Sequence, residues 1–211
     1  MKDKKRFYIE KIAMLYREHG IKPLSMDAIA NHIGLSKKSL YNYFDSKEKM
    51  IDAVFQFHFE QIREGFTAVA SEKINAIEKL LKVSDLLYQF FEAFSQPMLQ
   101  DLRKFYPYLS HKNRNSFREH LTKEIEHNIR EGISQNLYVA TFNVDLITHH
   151  FVSSLQLILL EETLTGKEPT PASAYKQLII YHIRGMATVK GMQNLANHQG
   201  KTHNTNPQKI A

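Results

Sequence analysis

Residues 25–44 contain the signals of two short helices joined by a tight turn, in the sequence SMDAIANHIGLSKKSLYNYF. Ser25 precedes an apolar run and is a preferred N-cap residue, so it predicts the start of the first helix. Gly34 follows that run, and glycine is the residue most often found where a helix ends in the left-handed conformation. Ser36 is a second N-cap residue directly after the turn. This spacing predicts a helix-turn-helix unit, which strongly limits the folds open to the N-terminal region.

The two predicted helices differ in the surfaces that they need. Ile29, Ala30 and Ile33 give the first helix one apolar face, and the small side chain of Ala30 permits a close helix crossing. Leu40 and Phe44 form the inward side of the second helix, which leaves polar and basic side chains on its outer side. A helix with such an outer face, placed after a tight turn, is typical of the helix that enters the major groove of DNA. The pattern therefore predicts DNA binding.

The stretch from residue 6 to residue 54 resembles the N-terminal domain of the tetracycline-repressor (TetR) family of bacterial regulators. The resemblance is carried by Ile9, Ile12, Ala13 and Tyr16 before Gly20, then by Ile29-Ala30, Gly34-Leu35-Ser36, Leu40-Tyr41, Tyr43-Phe44 and Ser46-Lys47-Glu48. It implies an all-α fold, in which an N-terminal three-helix DNA-binding domain is joined by a long helix to a helical ligand-binding and dimerisation domain. Outside this stretch the resemblance extends to the architecture alone.

The predicted DNA contacts divide by their position. Lys37 and Ser39 lie in the first turn of the second helix, from which side chains reach base edges. Lys47 begins the next predicted helix, where free backbone N–H groups favour a phosphate, and the resemblance favours phosphate contact over a simply solvated lysine. The resemblance also implies a phosphate contact for Tyr41, whereas Tyr43 fits either the core or the DNA. The full predicted set is Ser25, Met26, Ser36, Lys37, Lys38, Ser39, Tyr41, Asn42, Tyr43 and Lys47.

Composition narrows the possible functions further. The formal net charge is +6, from 28 Lys and Arg against 22 Asp and Glu. This balance suits phosphate contact, but a non-specific architectural DNA-binding protein would need a larger and more widely distributed positive charge. The chain has no cysteine, which excludes disulfides and thiolate metal sites and fits a reducing compartment. No apolar run approaches the length needed to cross a membrane, so we expect a cytoplasmic protein without membrane contact.

The rest of the sequence is also predicted to be helical, because glycine and proline fall mostly at boundaries and no stretch shows the two-residue alternation of a strand. A helix over about 46–70 connects the DNA-binding region to the body of the protein, and the last long helix covers about 172–193. The predicted domains are a DNA-binding domain in 1–48, a helical effector-binding and dimerisation domain in 49–196, and a disordered tail in 197–211. The tail is assigned because it has almost nothing to bury.

Two predicted helices near the C-terminus, 144–160 and 172–193, are apolar over an unusually wide surface. Such a helix must be covered on more than one side. Both could be interior helices of a monomer, but the resemblance implies a four-helix bundle formed with the same pair from a second subunit. A two-fold dimer would match a DNA operator with two inverted half-sites. The predicted dimerisation residues are Phe151, Leu155, Ile158, Ile179, Ile183 and Met186.

A segment rich in aromatic residues lies between the DNA-binding region and these helices. The resemblance implies a pocket there for a small apolar or amphipathic effector, which polar residues such as Arg103, His120, Glu124 and His127 could orient. The resemblance thus implies a repressor that a small molecule releases from an inverted-repeat operator, with a DNA-binding helical dimer that has no ligand response as the alternative. The predicted ligand-binding residues are Tyr88, Phe91, Phe94, Met98, Leu102, Tyr106 and Phe117.

The eleven histidines raise an enzymatic alternative. Glu124 and His127 form a Glu-x-x-His pair, and His149 and His150 follow on a later helix, which loosely resembles carboxylate-bridged metal bundles. Such sites need a second motif of this kind and further inward glutamates, and the sequence has no matching set. His149 and His150 are adjacent, so a helix points them in different directions. We therefore expect no enzymatic activity, no cofactor and no metal site.

Overall fold

The computed structural model describes residues 2–160 and 171–203, with side chains described for 4–157 and 174–199. It confirms the predicted all-α fold, and the one β-pairing in the described residues is an isolated bridge between Tyr138 and Ala187. None of the described helices is both long and apolar enough to cross a membrane. In chain order the helices are α1 (Lys2–His19), α2 (Met26–Ile33), α3 (Lys37–Tyr41), α4 (Lys47–Ser71), α5 (Ala76–Glu92), α6 (Gln96–Phe105), α7 (Pro107–Ser134), α8 (Val144–Leu160), α9 (Pro171–Met186) and α10 (Val189–His203).

The chain divides into two compact units. The first contains Met1–Gly65 and Gln89–Phe117, and the second contains Phe66–Tyr88 and Arg118–Ala211. Helices α4, α5 and α7 therefore each contribute residues to both units. The division differs from the predicted boundary after residue 48, because α6 packs on α1 and so belongs with the DNA-binding residues. The functional limits of the domains stay a prediction.

The first unit is built around a small apolar core. Ile12 and Tyr16 from α1 are fully buried, as are Ile29 from α2 and Leu40 from α3. Helix α4 begins directly after Ser46, whose hydroxyl accepts a hydrogen bond from the N–H of Lys49 at 3.2 Å. The core thus fixes the three N-terminal helices against one another and leaves the outer side of α3 uncovered.

In the second unit, polar contacts fix the start of α5. The side-chain oxygen of Asn75 accepts from the N–H groups of Ile77 and Glu78, and the Glu78 carboxylate accepts in return from the N–H of Asn75. This reciprocal arrangement is a capping box. A largely buried ion pair between Lys79 and Glu131, with 2.8 Å between Nζ and Oε1, then joins α5 to α7.

The predicted helix over 172–193 is wrong in one respect, because the structure has two helices there, α9 and α10. The loop after α7 forms hydrogen bonds with the residues at the junction of α9 and α10 and so stabilises the break between the two helices. The N–H of Val139 donates to the carbonyl of Met186 at 2.9 Å, and the N–H of Thr188 donates to the carbonyl of Leu137 at 2.9 Å. These long-range bonds replace the bonds that would continue α9.

Helix α10 extends beyond the predicted end of the helical body. The hydroxyl oxygen of Thr188 accepts from the N–H of Gly191 at 3.1 Å, and it thereby caps the new helix. The helix continues to His203, so residues 197–203 are helical where the sequence predicts a disordered tail. The rest of that predicted tail, 204–211, lies outside the described residues.

Candidate nucleic-acid interface

The helix-turn-helix unit has the caps that the sequence predicts. The hydroxyl of Ser25 accepts from the N–H of Ala28 at 3.1 Å, and the hydroxyl of Ser36 accepts from the N–H of Ser39 at 3.1 Å. Between the two helices, Gly34 has φ 74° and ψ 33° and lies in the left-handed region. Only glycine adopts that conformation without a steric penalty. The turn therefore depends on Gly34, and the two serines fix where the helices begin.

Helix α3 is shorter than the predicted second helix and covers only Lys37–Tyr41. After it, the N–H groups of Tyr43 and Phe44 both donate to the carbonyl of Leu40 at 3.0 Å, so the chain continues as turns. Leu40 and Phe44 are buried, as the sequence predicts. The outer surface of the motif is therefore formed by a little more than one helical turn and the residues directly after it.

Most side chains on the outer side of α3 and of the residues directly after it are exposed, and Tyr43 is an exception. Tyr41 is 41% exposed. Tyr43 is half-buried, and its ring centroid lies 5.1 Å from that of Tyr8 on α1, so packing within the protein accounts for this tyrosine. Of the predicted contact set, Ser25, Ser36, Lys37, Lys38, Tyr41 and Asn42 are exposed, whereas Met26, Ser39, Tyr43 and Lys47 are half-buried.

Lys37 forms an ion pair that the sequence analysis did not identify. Its Nζ lies 3.0 Å from the carboxylate of Asp27 on α2, and both side chains are more than half exposed. The hydrogen bond to Asp27 raises the pKa of Lys37 above its ordinary value. An ion pair this exposed adds little to stability. Its main effect is to hold the Lys37 ammonium against α2, beside the surface that would face DNA.

Lys47 is more buried than the two lysines of α3, Lys37 and Lys38. It is half-buried, and its Nζ donates to the carbonyl of Ile21 at 2.7 Å. Burial lowers the pKa of Lys47, while the nearby carboxylates of Asp101 and Glu48 act in the opposite direction. Lys47 is therefore held within the protein, and its predicted contact with a phosphate stays a prediction.

Lys5 is a further cation close to the motif. Its Nζ lies 5.2 Å from the ring centroid of Phe44, at the end of the helix-turn-helix segment. The signal in the sequence is the basic start of α1, which contains Lys2, Lys4, Lys5 and Arg6. The geometry makes Lys5 an additional candidate for a phosphate contact.

Comparison with known proteins agrees with this geometry. Residues 9–54 match the family described as bacterial regulatory proteins, tetR family. The matched segment runs from the buried residues of α1 through both helices of the motif into the start of α4. Residues 9–54 therefore have the helix-turn-helix domain found in regulators of the tetR family. The comparisons support a DNA-binding transcriptional regulator.

Individual relatives and solved structures match a larger part of the chain. It is 26% identical over 135 residues to the uncharacterized HTH-type transcriptional regulator YvaF of Bacillus subtilis (strain 168), a match that spans 64% of this chain and 70% of that protein. A TetR-family transcriptional regulator from Cytophaga hutchinsonii shares the fold with a TM-score of 0.68 at 19% identity, over 88% of this chain and 96% of that one. A putative transcriptional regulator from Saccharomonospora viridis, solved in complex with choline, has a TM-score of 0.73 at 13% identity, over 89% of this chain and 100% of that one.

Three of the seven predicted ligand-binding residues, Phe91, Phe94 and Phe117, lie in a packed aromatic cluster of the first unit. Phe90 stacks on Phe117, and Phe55 stacks on Phe94, with 4.9 Å between ring centroids in each pair. These ring contacts account for the burial of Phe94 and Phe117 without a ligand. Of the other predicted residues, Met98 and Leu102 are buried, Phe91 and Tyr106 are half-buried, and Tyr88 is exposed and belongs to the second unit.

A cleft in the second unit offers a different candidate for a ligand site. It is an open groove, and its empty space is about 370 Å³ when the part that is open to solvent is included. None of the predicted ligand-binding residues lines it, but Glu124 and His127, which the sequence suggested as orienting groups, both do. Other lining residues include the apolar Phe66, Val69 and Val83 and the ion-paired Lys79 and Glu131.

The predicted dimerisation residues are buried within a single chain. None of those whose side chains are described is more than 3% exposed. Helices α8 and α9 pack against each other, so burial within one chain already explains their apolar character. The role of these residues as a subunit contact stays a prediction. The described members are Phe151, Leu155, Ile179, Ile183 and Met186, and the side chain of Ile158 lies outside the described residues.

A different set of apolar side chains on α8 and α9 is exposed. Leu146 and Leu157 on α8 are 67% and 55% exposed, and Tyr181 on α9 is 68% exposed. The two leucines are three helical turns apart, so they lie on the same face. One turn after Tyr181, a Cβ atom added at Gly185 would meet no atom within 4 Å. We call these four exposed positions together the α8–α9 face.

The histidines of α8 and α9 do not form a metal site. The Nδ1 of His149 donates to the carbonyl of Asp145 at 2.8 Å. His182 is buried, and its ring stacks on Phe151 with 4.0 Å between centroids. Burial, and secondarily His150, lowers the pKa of His182 to about 4. Throughout the part of the chain that the structure describes, no group of three or more histidine, aspartate or glutamate side chains could hold a metal ion.

Proposed function

We propose that this protein is a regulator of the tetR family, a sequence-specific repressor that binds an inverted-repeat operator as a homodimer and leaves it when a small molecule binds. The observation that carries the DNA recognition is the exposed outer side of α3, with Lys37, Lys38, Tyr41 and Asn42 on it. The core does not use these side chains, and their donors suit base edges and phosphates. Two copies related by two-fold symmetry fit half-sites about 34 Å apart.

The experiment is to select DNA with the purified protein from a randomised duplex pool and to measure affinity for the enriched duplex and for a random one. Lys37→Ala is expected to weaken binding to the enriched duplex by roughly tenfold and to the random duplex by much less, since a first-turn side chain reads bases. The matched control is Lys123→Ala, which removes the same charge from an exposed position on α7. Equal losses on the two duplexes would contradict base reading by Lys37, and a pool without enrichment would contradict sequence-specific binding.

The pair between Lys37 and Asp27 gives a second test of the same surface. We propose that the Lys37 ammonium leaves Asp27 when DNA binds, because a phosphate or base acceptor replaces the carboxylate. Asp27→Asn is then expected to raise affinity for both duplexes by a few-fold, since it frees Lys37 and removes a negative charge next to the DNA. Weaker binding by this variant in a salt-matched titration would show that Asp27 is needed to orient Lys37.

We infer that the effector binds in the cleft of the second unit rather than in the aromatic cluster. Glu131 in the cleft is ion-paired with Lys79, which leaves Glu124 as a further carboxylate, 4.0 Å from His120. The ring of Phe66 also lines the cleft. Carboxylates and an aromatic face favour a small organic cation. The first probe is choline, because a protein of the same fold was solved with it.

Choline binding in the cleft should raise the melting temperature of the free protein and weaken its binding to the enriched duplex by the same linkage. Ala70→Phe, which adds a ring at the edge of the cleft, should remove both effects. A panel of small organic cations follows if choline has no effect. Ligands that bind in the cleft and leave DNA affinity unchanged would favour the alternative, a dimer without ligand response.

A further inference from the structure

Asp101, on α6, makes a long-range polar contact to the turn before the helix-turn-helix motif. Its Oδ2 accepts hydrogen bonds from the N–H groups of Ile21 and Lys22, each at 2.8 Å. These two residues lie in the turn that connects α1 to α2. The carboxylate therefore holds the turn that leads into the helix-turn-helix motif, from a position 80 residues further along the chain.

The turn is built to let this carboxylate approach. Gly20 ends α1 with φ +78°, in the left-handed region, and a Cβ atom at this position would lie 2.7 Å from Oδ2 of Asp101. A side chain at Gly20 would thus be strained by the backbone and would also displace the carboxylate. The glycine is required both by the turn and by the contact.

Lys47 binds the same turn from the other side. The peptide group between Ile21 and Lys22 donates its N–H to Asp101 and accepts at its carbonyl from Nζ of Lys47, at 2.7 Å. The peptide dipole therefore points its positive end at a carboxylate and its negative end at an ammonium, and both interactions are charge-assisted. Three elements, α6, the turn and the start of α4, are joined through this one peptide.

Two further contacts lie near this turn in the first unit. The ammonium of Lys22 lies 4.4 Å from the ring centroid of Phe105. Arg17 on α1 lies 3.8 Å from the carboxylate of Glu92, at the end of α5. Both pairs are at the surface and add little by themselves. The first pair joins the α1–α2 turn to α6, and the second joins α1 to the end of α5. The Asp101 carboxylate, which binds two backbone N–H groups, is the stronger constraint on the position of the turn.

We propose that Asp101 is a positioning residue for DNA binding, which fixes the α1–α2 turn and thereby the starts of α2 and α4. The proposal rests on the proposed DNA-binding function and adds to it a residue outside the helix-turn-helix motif. Simple electrostatics gives the opposite expectation, because removal of a negative charge strengthens the attraction of a protein to DNA. The sign of the effect therefore distinguishes positioning from long-range charge.

The test compares Asp101→Ala and Asp101→Asn with Glu119→Gln, which removes one negative charge from an exposed position on α7. Asp101→Ala should weaken binding to the enriched duplex by about tenfold, which corresponds to the loss of a charge-assisted contact. Asp101→Asn, which keeps a carbonyl acceptor, should recover part of that loss, and Glu119→Gln should bind at least as well as the wild type. The dependence of affinity on salt should keep its slope, because no phosphate contact is removed.

Amide hydrogen exchange of the free protein provides the readout that does not depend on DNA. The amides of Ile21 and Lys22 should exchange faster in Asp101→Ala, while those in the middle of α5 keep their protection. Unchanged exchange at the two amides, or unchanged or tighter DNA binding, would overturn the proposal. If the wild type selects no duplex, the proposed function fails, and the exchange result still decides whether Asp101 holds the turn.

Discussion

The helix-turn-helix segment and the α8–α9 region encode their surfaces in different ways. In residues 25–44, single residues with a local function, Ser25, Gly34 and Ser36, determine where each helix starts and stops, and hence which side chains face outward. In α8 and α9, apolar residues occur around most of the circumference, and only tertiary packing decides that Ile183 is buried and Tyr181 is exposed. Caps and turns can therefore locate an outer face from sequence, whereas a wide apolar surface cannot.

The largest expected effect is a loss of stability in the α8–α9 region. It distinguishes residues buried in the core of one chain from residues that contact a second subunit. Ile183→Glu should lower the free energy of unfolding by on the order of 4 kcal/mol, because it replaces a fully buried apolar side chain with a carboxylate. Tyr181→Glu, two residues earlier and 68% exposed, should leave the stability of the monomer nearly unchanged and weaken the proposed dimer. Urea unfolding reports stability, and sedimentation at micromolar concentration reports the oligomeric state.

The two variants can contradict the assignment in separate ways. If Ile183→Glu folds with wild-type stability and only dissociates the dimer, the buried residues do form the subunit contact, as the sequence predicted. If Tyr181→Glu leaves a dimer intact, the α8–α9 face is not the contact. A wild-type protein that sediments as a monomer would remove the dimer from the proposed function altogether.

The parts of the fold that the sequence predicted are those that depend on near neighbours. The caps of α2 and α3 involve residues three apart, and the turn at Gly34 depends on one backbone conformation. The end of α9 could not be predicted in this way. It depends on hydrogen bonds from Val139 and to Leu137, nearly fifty residues away, and the sequence around 187 still has helical periodicity.

In the candidate site, too, the features that depend on near neighbours were predicted from the sequence, and those that depend on long-range contacts were not. The exposure of Lys37 and Lys38 follows from their place in a capped helix, and the sequence was sufficient to predict it. The contact of Lys47 with Ile21 spans 26 residues, and the sequence pattern at Lys47 is that of a lysine in the first turn of a helix. The ligand-binding residues were chosen for aromatic content, which does not distinguish rings that stack on each other from rings that line a cleft.

The next largest effect is a loss of stability at acidic pH, which we expect from His182. His182 is buried against Phe151 on the inner side of α9, whereas His32, in the helix-turn-helix segment, is exposed. Burial lowers the pKa of His182 to about 4, compared with about 6.5 in an unfolded chain. The unfolded state therefore takes up the proton first, and stability is expected to fall as the pH drops from about 6.5 towards about 4, by roughly 3 kcal/mol.

Urea unfolding at several pH values in this window checks the contribution of His182. His182→Phe should flatten the dependence of the unfolding free energy on pH, because the neutral ring cannot be protonated in either state. The exposed His149→Phe serves as the control and should keep the wild-type slope. A wild-type slope in His182→Phe would place the acid sensitivity elsewhere in the protein.

The smallest expected effects on stability are those of alanine substitutions at Gly34 and Gly185. They compare the helix-turn-helix segment directly with the α8–α9 region. Gly34→Ala should destabilise the protein by about 1 kcal/mol, because its φ of 74° is strained for any residue with a Cβ atom. No atom lies within 4 Å of a Cβ added there, so the backbone alone determines the loss. Gly34→Asn, which tolerates the left-handed region better, should recover part of the stability. An alanine variant as stable as the wild type would show that the turn can relax.

Gly185→Ala should have the opposite sign in a single chain. Gly185 lies in the last turn of α9 with open space around it, and alanine favours a helix over glycine there by up to about 1 kcal/mol, the value for a helix interior. If a second chain packs on the α8–α9 face, the added methyl group meets that chain, so the variant should gain stability as a monomer and lose dimer affinity. Unfolding measured at low and high protein concentration separates the two contributions. A gain of equal size at both concentrations would show that nothing packs on Gly185, and the proposed subunit contact would then have to lie on another face of the second unit.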